Sequence, residues 1–198
     1  MKYIIMADGK GTRWNNYENH SKHLCVINGE TIIGRTVRLL KERNIKDIII
    51  TSHNSEMEFE GALRYEPLNN NEEIDRFTYE LLEGEVTFLY GDTYYHESAL
   101  DEIIRHETDS LLFFGTSTSI VGVKVVDVEQ FKKYIDYIKA NDIVGKGWTV
   151  YQLSNGLPLG SKEPRENLIP VDEETIDIDS PEEYHELQKI HGRKNSLF

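Results

Sequence analysis

Five consecutive apolar residues, Tyr3-Ile4-Ile5-Met6-Ala7, stop abruptly at Asp8-Gly9. A strand with one wet face alternates apolar and polar side chains, so an unbroken apolar run requires cover on both faces. Helices on the two sides of a parallel sheet provide that cover. The run therefore reads as an interior strand of an α/β sheet. The polar stretch from Asp8 to about Ser21 reads as the loop leaving its carboxyl end, where open α/β sheets bind ligands.

The rest of the chain supports the same class. His23 to Ile27 reads as a short strand ending in an Asn28-Gly29 turn. Thr31 caps an expected helix running to about Asn44, with Ile32, Ile33, Val37, Leu39 and Leu40 on one face. Strands are expected at Asp47–Ser52, Leu63–Tyr65, Val86–Tyr90, Leu111–Phe114, Ile120–Val126 and Ile176–Asp179. Helices are expected at Glu72–Glu83, Ser98–His106 and Val128–Ala140, with a last one opened by Ser180-Pro181-Glu182-Glu183. The stretch 141–171 is rich in Gly, Pro and charge, and only a short strand near Trp148–Tyr151 can be placed there. At 198 residues the chain fits one domain, 1–198, large enough to bury a core.

Charge narrows the partners. With 22 Lys and Arg against 35 Asp and Glu, the formal net charge is −13, which repels a duplex phosphate backbone. A small anion remains acceptable if the few cations gather where it sits. The single cysteine, Cys25, lies in an apolar run and reads as a buried structural thiol. No apolar window reaches the ~20 residues of a membrane-spanning helix. These readings give a cytoplasmic protein, monomer or homodimer, with neither nucleic acid nor membrane as partner.

Three groups of residues carry chemistry. Gly9-Lys10-Gly11-Thr12-Arg13 follows the first strand directly, and Lys22 stands nine residues beyond Arg13. Glycines let backbone N–H groups approach a polyphosphate, arginine adds bidentate contacts and lysine a point charge. The dinucleotide fingerprint is excluded because Trp14 replaces its third glycine, and the Walker A loop because Gly11 follows Lys10. Asp92 ends a buried strand, and Asp179 lies in Ile-Asp-Ser-Pro-Glu-Glu-Tyr. Two carboxylates from separate strand ends suit magnesium, which completes its octahedron with substrate phosphate and water.

The order Gly-x-Gly-Thr-Arg, a lysine about ten residues on, Asn-Gly-Glu and a helix, Gly-Asp, then Ile-Asp-Ser-Pro-Glu-Glu-Tyr resembles the nucleotidyltransferase superfamily of sugar-phosphate and alditol-phosphate nucleotidyltransferases. The resemblance spans residues 1 to about 190 and is weakest between about 127 and 170. It implies a Rossmann-like three-layer α/β/α fold with a mainly parallel mixed sheet. It further implies that Arg13 and Lys22 hold the triphosphate and act as the catalytic cations. The nucleotide would be bound by Ala7, Asp8, Gly9, Gly11, Thr12, Arg13, Lys22 and Gly91. Asp92 and Asp179 would hold Mg2+, with Mn2+ as a substitute. Asp179 is preferred to Asp177 because it directly precedes Ser-Pro. The chain departs from the family at Asp8, usually Ala or Gly, and at Ser21, usually Pro. Asp8 either accepts a hydrogen bond from a base amino group or caps a turn.

The chain is short for this family, and its ending is similar to the phosphocholine type. The expected reaction transfers CMP from CTP to the phosphate of a small acceptor, such as phosphocholine or a phosphorylated amino acid, for surface-polysaccharide modification, releasing pyrophosphate. Segment 141–171, with Lys146, Trp148, Tyr151, Lys162 and Arg165, is the expected acceptor pocket. The alternatives are a sugar-1-phosphate nucleotidyltransferase using UTP, dTTP or GTP, a glycosyltransferase of related fold, suggested by Asp177-Ile178-Asp179, and an inactive nucleotide-binding protein.

Overall fold

In a computed structural model, which describes residues 1–15, 17 and 20–194, the sheet is built around the opening apolar run. Strands β1 (Lys2–Met6), β4 (Ile48–Thr51), β5 (Leu63–Tyr65), β6 (Val86–Tyr90), β8 (Leu111–Gly115), β9 (Ile120–Val125) and β10 (Leu168–Pro170) form one seven-stranded sheet. Its order is β10-β8-β9-β6-β1-β4-β5. β1 pairs in parallel with both β4 and β6, and β4 with β5. Only β9 runs against its neighbours, β6 and β8.

The pleat explains why these runs are unbroken. Ile4, Met6, Phe88, Phe113 and Val123 point to one side, where they meet α3 (Val128–Ala140) and α4 (Gly147–Ser154). Tyr3, Ile5, Ile50, Leu89 and Phe114 point to the other, against α1 (Ile32–Glu42) and α2 (Glu97–Arg105). The result is the three-layer α/β/α arrangement with a mainly parallel sheet. Thr31 caps α1, its hydroxyl accepting from the Gly34 N–H at 3.2 Å, and every expected apolar position of that helix is buried. A third, smaller cluster holds Trp14, Cys25, Ile27, Tyr94, Ile178 and Tyr184, and ties the first loop to α5 (Pro181–Lys194).

Several expected boundaries change. His23–Ile27 is not one strand: Lys22–Leu24 is a 3-10 turn, and only β2 (Val26–Ile27) is extended, pairing with β3 (Glu30–Thr31). Asn28 and Gly29 both have positive φ, as a two-residue hairpin turn requires. The expected helix 72–83 is two 3-10 turns, Glu73–Phe77 and Tyr79–Leu81, broken at Thr78 with φ of 35°. Packing of Phe77 between Phe88 and Phe131, at 5.0 and 5.1 Å, overrides helix continuity there. The expected strand at 148–151 is helical, because Val150 and Tyr151 must both enter the first core. Ile176–Asp179 shortens to β11 (Ile176–Asp177), paired antiparallel with β7 (Thr93–Tyr94). No described helix is long and apolar enough to cross a membrane.

Candidate active site

The carboxyl ends of β1 and β6 lie side by side, joined by the Gly91 N–H donating to the Met6 carbonyl at 2.9 Å. A Cβ on Gly91 would stand 2.7 Å from that carbonyl oxygen, so only glycine permits this approach. Asp92 follows immediately and is buried. The β7–β11 ladder, extended by the Ile178 N–H donating to the Asp92 carbonyl at 2.8 Å, brings the C-terminal segment to the same point. Asp179 is then fixed by Glu183, whose Oε2 accepts from the Asp179 and Ser180 N–H groups at 2.7 and 2.9 Å. In return the Ser180 hydroxyl accepts from the Glu183 N–H at 3.3 Å, a reciprocal cap at the start of α5.

Lys22 stands between the two carboxylates. Its Nζ lies 2.6 Å from Asp92 Oδ2 and 2.8 Å from Asp179 Oδ1, and Arg13 pairs with the other oxygen of Asp179. Burial works against both charges of the Lys22–Asp92 pair. Mutual attraction outweighs it, holding the lysine above its usual value and the Asp92 carboxyl far below the carboxylate range. Asp177 behaves differently: burial, reinforced by Asp92, raises its carboxyl, and its Oδ2 accepts from the Ser119 hydroxyl at 3.1 Å. His23, beside Lys22, is fully buried, and this lowers its imidazole to about 4.

A cavity of about 320 Å³ opens over these groups. Gly9, Gly11, Thr12, Arg13, Lys22, Asp92 and Asp179 line it, so seven of the sequence-predicted residues converge. Gly11 has φ of 55°, a conformation in which a side chain would be strained. Three predicted residues do not line the cavity. Ala7 is buried beneath it, its N–H donating to the Thr51 carbonyl at 3.0 Å, and Gly91 is sealed against β1. Asp8 turns toward β4, where its carboxylate accepts from the His53 N–H at 2.9 Å and pairs with His53 Nδ1 at 2.7 Å. Residues 16, 18 and 19 of the predicted loop lie outside the described residues.

From the predicted acceptor segment, Lys146 and Trp148 reach the cavity. The others serve structure: Tyr151 is in the core, Lys162 donates to the Thr118 carbonyl at 2.7 Å, and Arg165 pairs with Glu163 at 2.8 Å. Sequence reasoning missed Arg76, Tyr90 and Ser119, which also line the cavity. Arg76 sits in a segment read as an ordinary helix. Ser119 precedes the one reversed strand, so it reaches the rim from a strand start rather than a strand end.

The donor set fits a magnesium ion bound together with phosphate. Asp92 and Asp179 already approach one cation, the Lys22 ammonium, from different elements. Among the described residues no group of three or more His, Cys, Asp or Glu is arranged to hold a metal. Two carboxylates with substrate oxygens completing the shell is the usual magnesium pattern.

By sequence, no family model and no curated protein matches the chain. By structure the matches extend over nearly the whole chain. A nucleotidyl transferase from Methanothermobacter superposes with a TM-score of 0.65 at 16% identity, covering 98% of each chain. The fold is that of the nucleotidyltransferases. The CTP:phosphocholine cytidylyltransferase of Streptococcus pneumoniae gives 0.61 at 18% identity, covering 96% of this chain and 98% of that one. The 4-diphosphocytidyl-2C-methyl-D-erythritol synthase of Anaerococcus prevotii gives 0.62 at 12% identity, covering 96% of each.

Proposed function

We propose that this chain is a nucleotidyltransferase that moves CMP from CTP to the phosphate of a small acceptor and releases pyrophosphate. The observation that carries the reading is Lys22 bridging Asp92 and Asp179, with Arg13 on Asp179, at the mouth of a glycine loop. Attack by an acceptor phosphate oxygen on the α-phosphorus forms one P–O bond and breaks the bond to the β-phosphate oxygen. Charge then shifts onto the leaving pyrophosphate, and fixed cations are worth most where charge reorganises. Arg13 and Lys22 supply those cations, and the backbone of Gly9 and Gly11 leaves room for the phosphates. Magnesium held by Asp92 and Asp179 would neutralise phosphate oxygens. Cytosine is favoured because one similar solved structure is named a CTP:phosphocholine cytidylyltransferase and another a 4-diphosphocytidyl-2C-methyl-D-erythritol synthase.

The test is a pyrophosphate-release screen of four NTPs with magnesium against a panel of phosphorylated small molecules. CTP should exceed UTP at least tenfold in kcat/KM, a difference of about 1.4 kcal/mol, within reach of one unmatched polar contact. A better rate with UTP or GTP would remove the cytidylyl assignment and keep the transferase. Release from no NTP would remove both. Because His53 engages the Asp8 carboxylate, Asp8→Ala should leave the CTP:UTP ratio unchanged.

A further inference from the structure

Two cations of the cavity have no bonded counter-charge. Among the described residues, neither the Arg76 guanidinium nor the Lys146 ammonium makes a hydrogen bond or ion pair, and Arg76 Nε is buried without a partner. The Lys146 ammonium lies 4.8 Å from the centre of the Tyr90 ring, and Arg76 lies beside Gly9, 3.5 Å from where a Cβ on that glycine would stand. Unpartnered buried donors are costly, and native structures seldom keep them without a use. The contrast with Arg13 and Lys22, both neutralised by carboxylates, is local to one cavity. Asp92 and Glu73 also line it and attract the Lys146 ammonium through space, without a hydrogen bond or ion pair to either cation.

Arg76 is not a loose surface side chain. The residues on either side of it are anchored. Asp75 accepts from the Asn71 and Glu72 N–H groups at 3.0 and 2.9 Å and pairs with Lys139 of α3. Phe77 is clamped between Phe88 and Phe131. Lys146 is set by its neighbour Gly147, whose N–H donates to the Tyr90 hydroxyl at 3.2 Å and where a Cβ would stand 2.4 Å from that hydroxyl. Rigid placement of two unpaired cations is how a protein prepares for a multiply charged anion.

We infer that Arg76 and Lys146 form an anion subsite for the acceptor, and that it selects an acceptor bearing an acid group beside its phosphate over one bearing an ammonium. The inference rests on the transferase reading, since it assigns the subsite to that reaction's second substrate. A phosphate-plus-carboxylate molecule brings a negative group for each cation. A phosphate-plus-ammonium molecule brings a third positive charge to them, and like charges so placed oppose binding.

The test uses 2-phosphoglycolate and phosphoethanolamine, two-carbon phosphates that differ in carrying a carboxylate or an ammonium. Calorimetric titration of the full chain should show at least tenfold tighter binding of phosphoglycolate. Arg76→Gln and Lys146→Met should each erase most of that preference, while Arg76→Lys should keep it. Binding of CTP with magnesium should change less than threefold in these variants. Equal binding of the two probes, binding of neither at millimolar concentration, or a preference that survives both charge removals overturns the inference. So does a loss of CTP binding in Arg76→Gln with phosphoglycolate binding intact, which would give the cation to the nucleotide. Pyrophosphate release with CTP, measured in parallel, keeps the two claims apart. Release together with a preference for phosphoethanolamine sinks the subsite alone, and absence of release from every NTP sinks the transferase.

Discussion

At the residue scale, exposure separates two cations with the same proposed task. The Arg13 side chain is 70% exposed and that of Lys22 is 7%. Both Arg13→Ala and Lys22→Ala should lower kcat more than they weaken NTP binding. Only Lys22→Ala should also unfold more easily, by about 3 kcal/mol, because it leaves Asp92 buried without its partner. Asp92→Asn and Asp179→Asn should each lower turnover about 10²–10³-fold with magnesium saturating. Near-wild-type rates in either variant would refute its assignment. His23 gives a second residue-level prediction. Burial lowers its imidazole to about 4, with Lys22 and Arg76 adding to the effect and Asp92 and Asp8 opposing it. The unfolded chain, with an ordinary histidine near 6.5, therefore binds more protons between those values, and stability falls as pH drops. The expected loss from pH 7 to pH 5 is about 2 kcal/mol. Urea midpoints at the two pH values measure it, and the increment should vanish in His23→Gln. The candidate site was partly legible in sequence because the glycines, Arg13, Asp92 and Asp179 sit in short motifs just past strand ends, with Lys22 nine residues beyond Arg13. Arg76 was not, since nothing in the local pattern Glu-Ile-Asp-Arg-Phe separates a cavity cation from a solvated one.

At the element scale, strongly periodic segments were legible and short irregular ones were not. Strands β1, β4 and β6 announced themselves as apolar runs, α1 as an amphipathic face with its cap and α3 as an amphipathic face. The turns over 73–81, helix α4 and strand β10 depend on contacts far along the chain, which no local window contains. The segment carrying Arg76 shows how such an element is held. Its one buried carboxylate, Asp75, satisfies two backbone donors and Lys139, and these partners hold it ionised below its ordinary value although burial opposes them. Asp75→Ala should destabilise the chain by about 2 kcal/mol, within the range for orphaned buried donors. Urea unfolding would show it. A loss under 0.5 kcal/mol would mean that Phe77 alone fixes the turn.

For the whole molecule, the net charge of −13 makes the cluster of Arg13, Lys22, Arg76 and Lys146 a local exception on an acidic surface. A ligand that binds only the folded chain stabilises it by mass action, about 2.7 kcal/mol at a hundredfold excess over Kd. For a chain of this size that corresponds to a rise in Tm of roughly 5–10 °C. CTP with magnesium should produce it, and chelating the metal should reverse most of it. An equal shift without magnesium would take the metal out of nucleotide binding. The sheet order carries a further consequence, for the sequence of events in folding. β8 and β9 are neighbours in the chain and close as a hairpin, a local contact with a small loop-closure cost. β1, made first, pairs with β4 and β6, and its partner for Lys2 is Val86. A ribosome must therefore release the whole stretch from Lys2 to Tyr90 before this strand gains its second neighbour. Until then the site lacks Gly91 and Asp92, and until the last helix emerges it lacks Asp179 and the full cluster around Trp14, so nucleotide binding should be among the last properties the nascent chain acquires.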